Sequence, residues 1–237
     1  QFVAREQAKN VRENLETIAV LQAARVGDLV GFYLAQADAL SSQASRAQDL
    51  DAFNRTGDPL ARQRMDASLA ATGQIFPDMR SVSVLDVSGR VVASSDPSLV
   101  GTVLIRSFGP FDFLPVENGA PRLRIDRDIR TAGIAIGALE IVMRDDLLAA
   151  IANDLSSVGP TGGFELMARA SNGTVFSLLP PPFAQDAAPG GPGRSGSSLE
   201  AQAMDQRDGF YLRSTDDRGA SVVAASRDIP ELGWVLV

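Results

Sequence analysis

The sequence contains no histidine and no cysteine, and Lys9 is its single lysine. Without histidine or cysteine there is no Ser-His-Asp triad, no thiol nucleophile and no ordinary zinc, copper or haem site. A Schiff-base or Ser-Lys mechanism would depend on Lys9 alone, close to the start of the sequence. We therefore expect no catalysis, no metal and no cofactor, and a hydrolase is the least favoured class of protein.

The absence of cysteine also excludes disulfides. That is compatible with the cytoplasm or the bacterial periplasm, and it disfavours a disulfide-stapled secreted module. The 22 basic residues are outnumbered by 29 acidic ones, and the net charge is −7. Nucleic acid binding needs a concentrated basic surface, so we expect no nucleic acid partner and no adsorption to an anionic membrane surface.

Long hydrophobic runs are lacking as well. The longest near-apolar segment, TAGIAIGALEIVM, contains Glu140 and is shorter than the roughly 20 residues that a membrane-spanning helix needs. The sequence begins at Gln1 rather than Met, and it ends on GWVLV without a polar tail. We expect both ends to be cuts through a longer protein, with a soluble chain between two membrane spans.

Residues 1–46 consist largely of good helix formers and contain no proline, which predicts one long N-terminal helix. Its larger apolar residues keep a loose spacing of three and four, which is typical of a helix face that packs against a core. The stripe expected to face the core carries Val11, Leu15, Ile18, Leu29, Phe32 and Leu40. It slips between Ile18 and Leu29, where Gln22 and Arg25 fall on it, so a clean coiled coil is not required.

Local signals mark the next elements. Asp58 as N-cap, Pro59 at the first helical position and Gly73 as C-cap predict a second helix. A hairpin is predicted after it, with a type I turn from Asp86 to Gly89.

Further strands and helices follow in an order that occurs twice. The later elements are strands over 121–129 and 132–143, a helix over 144–155, strands over 164–168 and 174–179 around an Asn172-Gly173 turn, an irregular loop over 180–198, a short helix over 199–204, and a closing meander whose first turn is Asp216–Gly219. This order indicates two α+β units in tandem behind one N-terminal helix.

Three segments carry a resemblance to a known family. These are VSVLDVSGRVVASSDPSLVG in the first hairpin, GALEIVMRDDLLAAI after it, and the ending DDRGASVVAASRDIPELGWVLV. In this order, behind a long helix, they resemble the double-Cache sensor domains of bacterial receptors, whose two modules are PAS-like. The resemblance covers nearly the whole chain.

The resemblance implies an α+β fold in which a long N-terminal signalling helix (1–46) flanks two tandem PAS-like (Cache) modules, each with an antiparallel sheet. The membrane-distal module would span 47–157 and the membrane-proximal module 158–237. It also implies a ligand-sensing domain of a histidine kinase, chemoreceptor or nucleotide-cyclase type of receptor, on the periplasmic or extracellular side of the inner membrane. The domain would form a parallel homodimer, and transmembrane helices would flank it at both ends of the chain.

The loop and strand from Ile105 to Arg130 are the candidate ligand site, because they combine aromatic residues with charges of both signs. Phenylalanines would wall a pocket, and an arginine would pair with a carboxylate ligand. In the other interpretation the phenylalanines anchor the loop in the core, and the charges point outward from an edge strand. The candidate site residues are Arg106, Phe108, Phe111, Phe113, Arg124, Asp126 and Asp128.

Amino-acid-binding members of the family carry an arginine followed by tryptophan and an aromatic residue, then a tyrosine and an aspartate. Arg106-Ser107-Phe108 matches only the beginning of this pattern, and Val142 stands about where the late aspartate would be. An α-amino acid ligand is therefore disfavoured, and two alternatives stay open: a small carboxylate ligand and an empty pocket.

Two questions stay open at this stage. Trp234, near the end of the sequence, suits either a membrane-interface position or the core of the last strand. The alternative to a solute sensor is a periplasmic module that senses no soluble ligand and serves dimerisation or the binding of a partner protein.

Overall fold

A computed structural model of the chain describes residues 2–106, 111–114, 122–144, 147, 162–169, 173, 175–179, 198–215 and 220–237. The chain divides into two compact units. The central unit contains Gly31–Leu114 and Arg122–Asp145, and the terminal unit contains Gln1–Val30 and Asp146–Val237. Each unit has a five-stranded antiparallel sheet, which confirms the predicted α+β class with two sheet-bearing modules behind a long helix. The module boundaries at residues 46/47 and 157/158 stay predictions.

Three of the helices whose bounds are described come early in the chain, and the fourth comes near its end. They are α1 (Phe2–Ser41), α2 (Ala44–Thr56), α3 (Pro59–Ile75) and α4 (Ser198–Gln206). Two serines mark the end of α1: the Ser41 hydroxyl donates to the carbonyl of Asp38 at 3.1 Å, and the Ser42 hydroxyl donates to that of Ala39 at 3.1 Å. Such bonds occupy backbone acceptors of the last turn. The long helix therefore ends at Ser41, short of residue 46.

The buried face of α1 differs from the expected one. Val11 and Phe32 are 47% and 48% exposed, so the prediction that they face the core is wrong, whereas Leu40 is buried. Alanine carries little hydrophobic signal, yet three alanines lie on the buried face. The buried positions, spaced alternately by four and three, are Ala19, Ala23, Val26, Val30, Tyr33, Ala37 and Leu40.

Helix α3 begins as predicted and ends later. Asp58 is its N-cap and accepts a hydrogen bond from the backbone N–H of Leu60 at 2.9 Å, and Pro59 opens the helix. The prediction of Gly73 as C-cap is wrong, because the helix continues to Ile75. Gly73 does not have the left-handed conformation of a C-cap glycine.

The sheet of the central unit has the strand order β2-β1-β5-β4-β3. Its strands are β1 (Met79–Asp86), β2 (Val91–Ser94), β3 (Asp112–Leu114), β4 (Arg122–Thr131) and β5 (Ile134–Met143). The predicted turn joins β1 to β2: the N–H of Gly89 donates to the carbonyl of Asp86 at 3.1 Å, and Gly89 has φ +81°. A 3-10 turn at Pro97–Leu99 follows β2.

The sheet of the terminal unit has the order β7-β6-β10-β9-β8. Its strands are β6 (Leu166–Arg169), β7 (Val175–Ser177), β8 (Gly209–Thr215), β9 (Ser221–Ile229) and β10 (Trp234–Leu236). Helix α4 covers one face, and the core there contains Met167, Leu199, Met204 and Tyr211. Trp234 is 2% exposed, which decides between its two interpretations in favour of the core.

Several predicted features lie outside the described residues. They are most of the helix over 144–155, Asn172 of the second hairpin turn, the loop over 180–197 and the Asp216–Gly219 turn.

Helix α1 contains a segment, Lys9–Ser41, that is long and apolar enough to cross a membrane, judged by length and composition alone. In its most apolar stretch of 18 residues, 33% of the residues are buried within the protein.

We predict that Gly137→Ala destabilises the central unit. A Cβ atom at Gly137 would collide with the backbone oxygen of Leu85 and lie 2.7 Å from Cδ2 of Leu50. Overpacking of this kind costs about 1–3 kcal/mol, which urea unfolding would measure as a lower free energy of unfolding. Gly73→Ala is the matched control, because its Cβ would meet only Cβ of Ser95 at an ordinary 3.8 Å. Equal stability of the two variants would contradict the prediction.

Candidate functional site

Strand β4 has two different faces. Successive side chains of a strand point to opposite sides, so Leu123, Ile125 and Ile129 lie on one face and Arg124 and Asp126 on the other. All five of these residues are buried. Arginine and aspartate are seldom fully buried without partners, so the second face is not an ordinary core surface.

The register of the sheet brings further polar residues beside Asp126. Asp126 pairs with Glu140 of β5, Glu140 pairs with Ser83 of β1, and Ser83 pairs with Ser94 of β2. The two serine hydroxyls are 2.9 Å apart. One row of polar side chains therefore crosses four neighbouring strands.

A second row lies beside the first. Arg124 pairs with Asp112 of β3 on one side and with Val142 of β5 on the other, and Val142 pairs with Ser81. We call the buried polar residues of the two rows the polar face. It consists of Ser81, Ser83, Ser94, Arg124, Asp126 and Glu140, each no more than 7% exposed.

Arg124 is the charge centre of the polar face. Its Nη2 donates to the Asp112 carboxylate at 3.0 Å, and its Nη1 donates to the carbonyl of Ile105 at 2.8 Å. Its contacts with the two buried carboxylates are longer: 3.9 Å from Nε to Asp126 and 3.7 Å from Nη1 to Glu140. One guanidinium thus faces three carboxylates and hydrogen-bonds most closely to the half-exposed one, Asp112.

Burial changes the acidity of Glu140. Loss of hydration raises its pKa to about 7, the Asp126 carboxylate adds to the increase, and Arg124 opposes it. A carboxyl group with a pKa near 7 that lies among other charged groups is typical of a binding or catalytic position.

Arg106 and Asp128 form an ion pair. Nη2 of Arg106 donates to Oδ1 of Asp128 at 2.7 Å, and Nη2 of Arg130 donates to Oδ2 at 2.6 Å. The hydrogen bond from Arg106 is the main reason that the pKa of Asp128 is lowered. The predicted ligand role of Arg106 and Asp128 stays a prediction, and any carboxylate ligand of Arg106 would compete with Asp128.

The aromatic residues of the predicted site are arranged differently. Phe113 pairs with Leu123 and therefore lies on the other side of the sheet from Arg124. The rings of Phe111 and Phe113 meet edge to face with centroids 6.3 Å apart. This register agrees with the core interpretation for Phe113. Phe108 lies outside the described residues, and the pocket role of all three phenylalanines stays a prediction.

The structure brings together Arg124 and Asp126, and it adds residues that sequence reasoning missed. Glu140, the three serines and Asp112 were not among the candidates. A signal was present for Glu140, because it interrupts an apolar strand, and for Ser81 and Ser83, because they alternate with valines in SVSV.

Helix α1 is attached to this sheet by two polar contacts within the central unit. Nε of Arg127 donates to the Asp38 carboxylate, and the Tyr33 hydroxyl donates to the Asp78 carboxylate at 2.6 Å. Burial and the Asp78 carboxylate raise the pKa of Tyr33. Arg127 follows Asp126 directly and lies on the opposite face of β4, so one strand bears both the polar face and a helix contact.

A second concave surface lies within the terminal unit. It is an open groove of about 670 Å³ between α1 and strands β8 and β9. Arg12 lies 5.2 Å from the centroid of the Phe210 ring and donates to Glu16 at 2.8 Å, and Arg227 is 3.3 Å from Asp208. Because these charges are already paired, the groove is the weaker candidate for a solute.

Among the residues that the structure describes, no group of three acidic side chains could hold a metal ion.

No family model and no curated protein sequence matches this chain. Solved structures match nearly all of it. The sensor domain of the V. cholerae histidine kinase DctB has a TM-score of 0.63 at 14% identity and covers 97% of this chain and 96% of its own. The sensory domain of the Campylobacter jejuni chemoreceptor Tlp3 has a TM-score of 0.64 at 11% identity, with coverages of 99% and 95%.

A third structure is the ligand-binding domain of the Pseudomonas fluorescens chemoreceptor CtaA in complex with L-serine. Its TM-score is 0.52 at 13% identity, and it covers 97% of this chain and 96% of its own. The chain therefore has the fold of the extracellular sensor domains of histidine kinases and chemoreceptors, as the double-Cache resemblance implied.

We predict that Glu140 makes stability depend on pH. Its pKa rises from the ordinary 4.5 to about 7 on folding, so its contribution is most favourable below pH 4.5 and is lost as the pH rises through 7. The loss is about 3 kcal/mol at 1.36 kcal/mol per pKa unit. Glu140→Gln should flatten this part of the curve of unfolding free energy against pH, measured by urea unfolding between about pH 5 and 8.

Glu13→Gln is the control for this experiment. The Glu13 side chain is 60% exposed, 3.7 Å from Lys9 on α1, and its removal should leave the slope unchanged. An equal slope in wild type and Glu140→Gln would show that Glu140 ionises normally.

Proposed function

We propose that the chain is the extracytoplasmic ligand-sensing domain of a bacterial transmembrane receptor, with no catalysis of its own. The observation that carries the proposal is the polar face: three charged and three hydroxyl side chains buried on one side of a sheet. Apolar residues there would stabilise the fold better, because desolvating charges is costly. A face of this kind is selected for binding, and it lies in the unit that corresponds to the predicted distal module.

The ligand is a small solute that carries a cationic amino group. Asp126 and Glu140 are adjacent, and Arg124 is hydrogen-bonded to a third carboxylate, Asp112. Three carboxylates thus share the guanidinium of Arg124, and an ammonium group placed between Asp126 and Glu140 would relieve their repulsion and favour ionisation of Glu140. The hydroxyls of Ser83 and Ser94 extend the row and can accept hydrogen bonds from the same solute.

The bound molecules of two structural neighbours agree with this chemistry. L-serine is bound in CtaA, and isoleucine is bound in a second structure of Tlp3. Both ligands carry an amino group. A small carboxylate, the earlier expectation, would need Arg124 or Arg106 as its partner, and each of these is hydrogen-bonded to an aspartate.

Strand β4 would pass the signal to α1. A ligand that binds one arrangement of Asp126 better than another shifts the equilibrium between them. The neighbouring Arg127 would move with the strand and change its ion pair with Asp38 on α1. In a parallel homodimer with transmembrane helices at both ends of the chain, a displacement of α1 would reach the inner membrane.

The second candidate function is a periplasmic module for dimerisation or partner binding that senses no solute. The large exposed apolar residues of α1 favour it, among them Leu21 at 59%. The ligand experiment that follows separates the two functions.

We predict that primary amines or amino acids at about 1–10 mM raise the thermal midpoint by several degrees, because a ligand at 100 Kd adds about 2.7 kcal/mol. Carboxylates without an amino group should give no shift. Asp126→Asn should abolish the shift, because it removes one of the two charges that would face the ammonium group.

The control variant is Asp205→Asn. Asp205 pairs with Arg169 at 2.9 Å in the terminal unit, far along the chain from the polar face, so this variant should keep the shift. A shift with carboxylates alone would overturn the amine proposal. No shift with any solute would favour the non-sensing module.

We also predict that an amine ligand changes hydrogen exchange in the part of α1 that belongs to the central unit. The amides of residues 31–41 should exchange at least about twofold faster or slower with ligand, as followed by mass spectrometry. Arg127→Gln should keep the ligand's thermal shift and lose this exchange response, because the contact to Asp38 is weakened. An unchanged response in Arg127→Gln would remove this ion pair from the signalling route.

A further inference from the structure

The row of polar side chains across the central sheet has two different ends. The carboxylates of Asp126 and Glu140, on β4 and β5, form the first, which we call the carboxylate end. The hydroxyls of Ser83 and Ser94, on β1 and β2, form the second, which we call the serine end. Both ends lie on the same face of one sheet, so a single molecule that lies along the row can contact the two together.

The hydroxyls of the serine end already donate their hydrogen atoms. The Ser94 hydroxyl donates to the carbonyl of Val82 at 3.5 Å, and its oxygen accepts from the N–H of Asp96 at 3.1 Å. The hydrogen atom between the two hydroxyls, whose oxygens are 2.9 Å apart, therefore comes from Ser83. A hydroxyl has one donor and two acceptor lone pairs, so the Ser83 oxygen is left as an acceptor. It is complementary to an N–H or O–H group of a ligand.

Apolar side chains flank the space between the two ends. On the same face of the sheet, Leu85 pairs with Ala138 to one side of the Ser83–Glu140 pair, and Val142 lies to the other side. Leu85, Ala138 and Val142 are buried, and the first two belong to one apolar cluster. Apolar walls favour hydrocarbon, so the part of a ligand that lies between the two ends should be hydrocarbon as well.

We propose that the ligand of the polar face is an elongated amine, with an ammonium group at the carboxylate end, a hydrocarbon middle and a second hydrogen-bond donor at the serine end. This inference rests on the proposed function and narrows its amine to one class. A monoamine satisfies the carboxylate end alone. A second ammonium group is the strongest donor for the Ser83 oxygen, because charged donors make stronger hydrogen bonds than neutral ones.

The spacing of the strands sets the length of this ligand. An ammonium group between Asp126 and Glu140 is one and a half strand spacings from Ser83, which is roughly 7 Å. Since carbon–carbon and carbon–nitrogen bonds measure about 1.5 Å, an extended chain covers that distance with about four or five methylene groups between its two nitrogen atoms. Diaminobutane and diaminopentane with an amino group at each end have this length, and ethylenediamine is too short.

The experiment is isothermal titration calorimetry of the full chain with the two diamines, with butylamine and pentylamine, and with ethylenediamine. We expect each long diamine to have a Kd at least about tenfold lower than the monoamine of the same chain length and than ethylenediamine, the effect of one hydrogen bond to a charged group. Equal Kd values for diamines and monoamines would overturn the elongated ligand and leave amine sensing intact. Binding of no amine would overturn both.

Ser83→Ala tests the serine end. We expect the Kd of the long diamines to rise at least about tenfold, to that of the monoamines, while the Kd of the monoamines stays within about twofold. Ser177→Ala is the matched control: Ser177 lies on β7 of the terminal unit, and its hydroxyl donates to the carbonyl of Leu179 at 2.9 Å, so this variant should keep the preference for diamines.

An unchanged diamine Kd in Ser83→Ala would overturn the assignment of the second donor to this serine. The thermal midpoint without ligand reports whether Ser83→Ala is folded. The comparison of chain lengths in the wild type needs no variant, so it decides the proposal even where Ser83→Ala is unstable.

Discussion

The pairing of β4 with β5 sets Asp126 opposite Glu140, and the chemistry of the central unit depends on that one register. Two carboxylates side by side inside a protein repel each other and lose their hydration, so one of them becomes a weak acid. Arg124 reduces the repulsion, but its closest acidic partner is Asp112 at 3.0 Å, while Asp126 and Glu140 are 3.9 Å and 3.7 Å away. Under the proposed function, a bound cation would complete the charge balance of this face.

Strand alternation gives β4 a second role. Leu123 and Ile125 lie in the core on one face, Arg124 and Asp126 belong to the polar face on the other, and Arg127 lies on the core side, where it contacts Asp38 of α1. Under the proposed function, a ligand-induced change at Asp126 would be passed to Arg127, its neighbour on the opposite face. In the proposed function, the ligand contact and the contact with α1 occupy adjacent positions of one strand.

Helix α1 buries small residues and exposes larger apolar ones. Alanines and valines at one set of heptad positions pack into the chain, and larger apolar residues at a second set remain exposed. An amphipathic helix more often buries its larger apolar residues, whereas Leu21 and Phe32 of α1 stay exposed. The reversal is why sequence periodicity placed Val11 and Phe32 in the core and overlooked the alanines.

Local chemistry determined much of the fold from the sequence alone. Asp58 and Pro59 marked the start of α3, the turn from Asp86 to Gly89 produced its hairpin, and the strands followed the apolar runs, because caps, turns and alternation act over a few residues. Only the tertiary structure decided the site. Ser83, Asp126 and Glu140 are distant in sequence, and strand order and register alone make them neighbours. Burial then raised the pKa of Glu140, an acid that looks isolated in its apolar strand. A carboxyl group acquires an unusual pKa from its surroundings in the fold and not from its place in the chain.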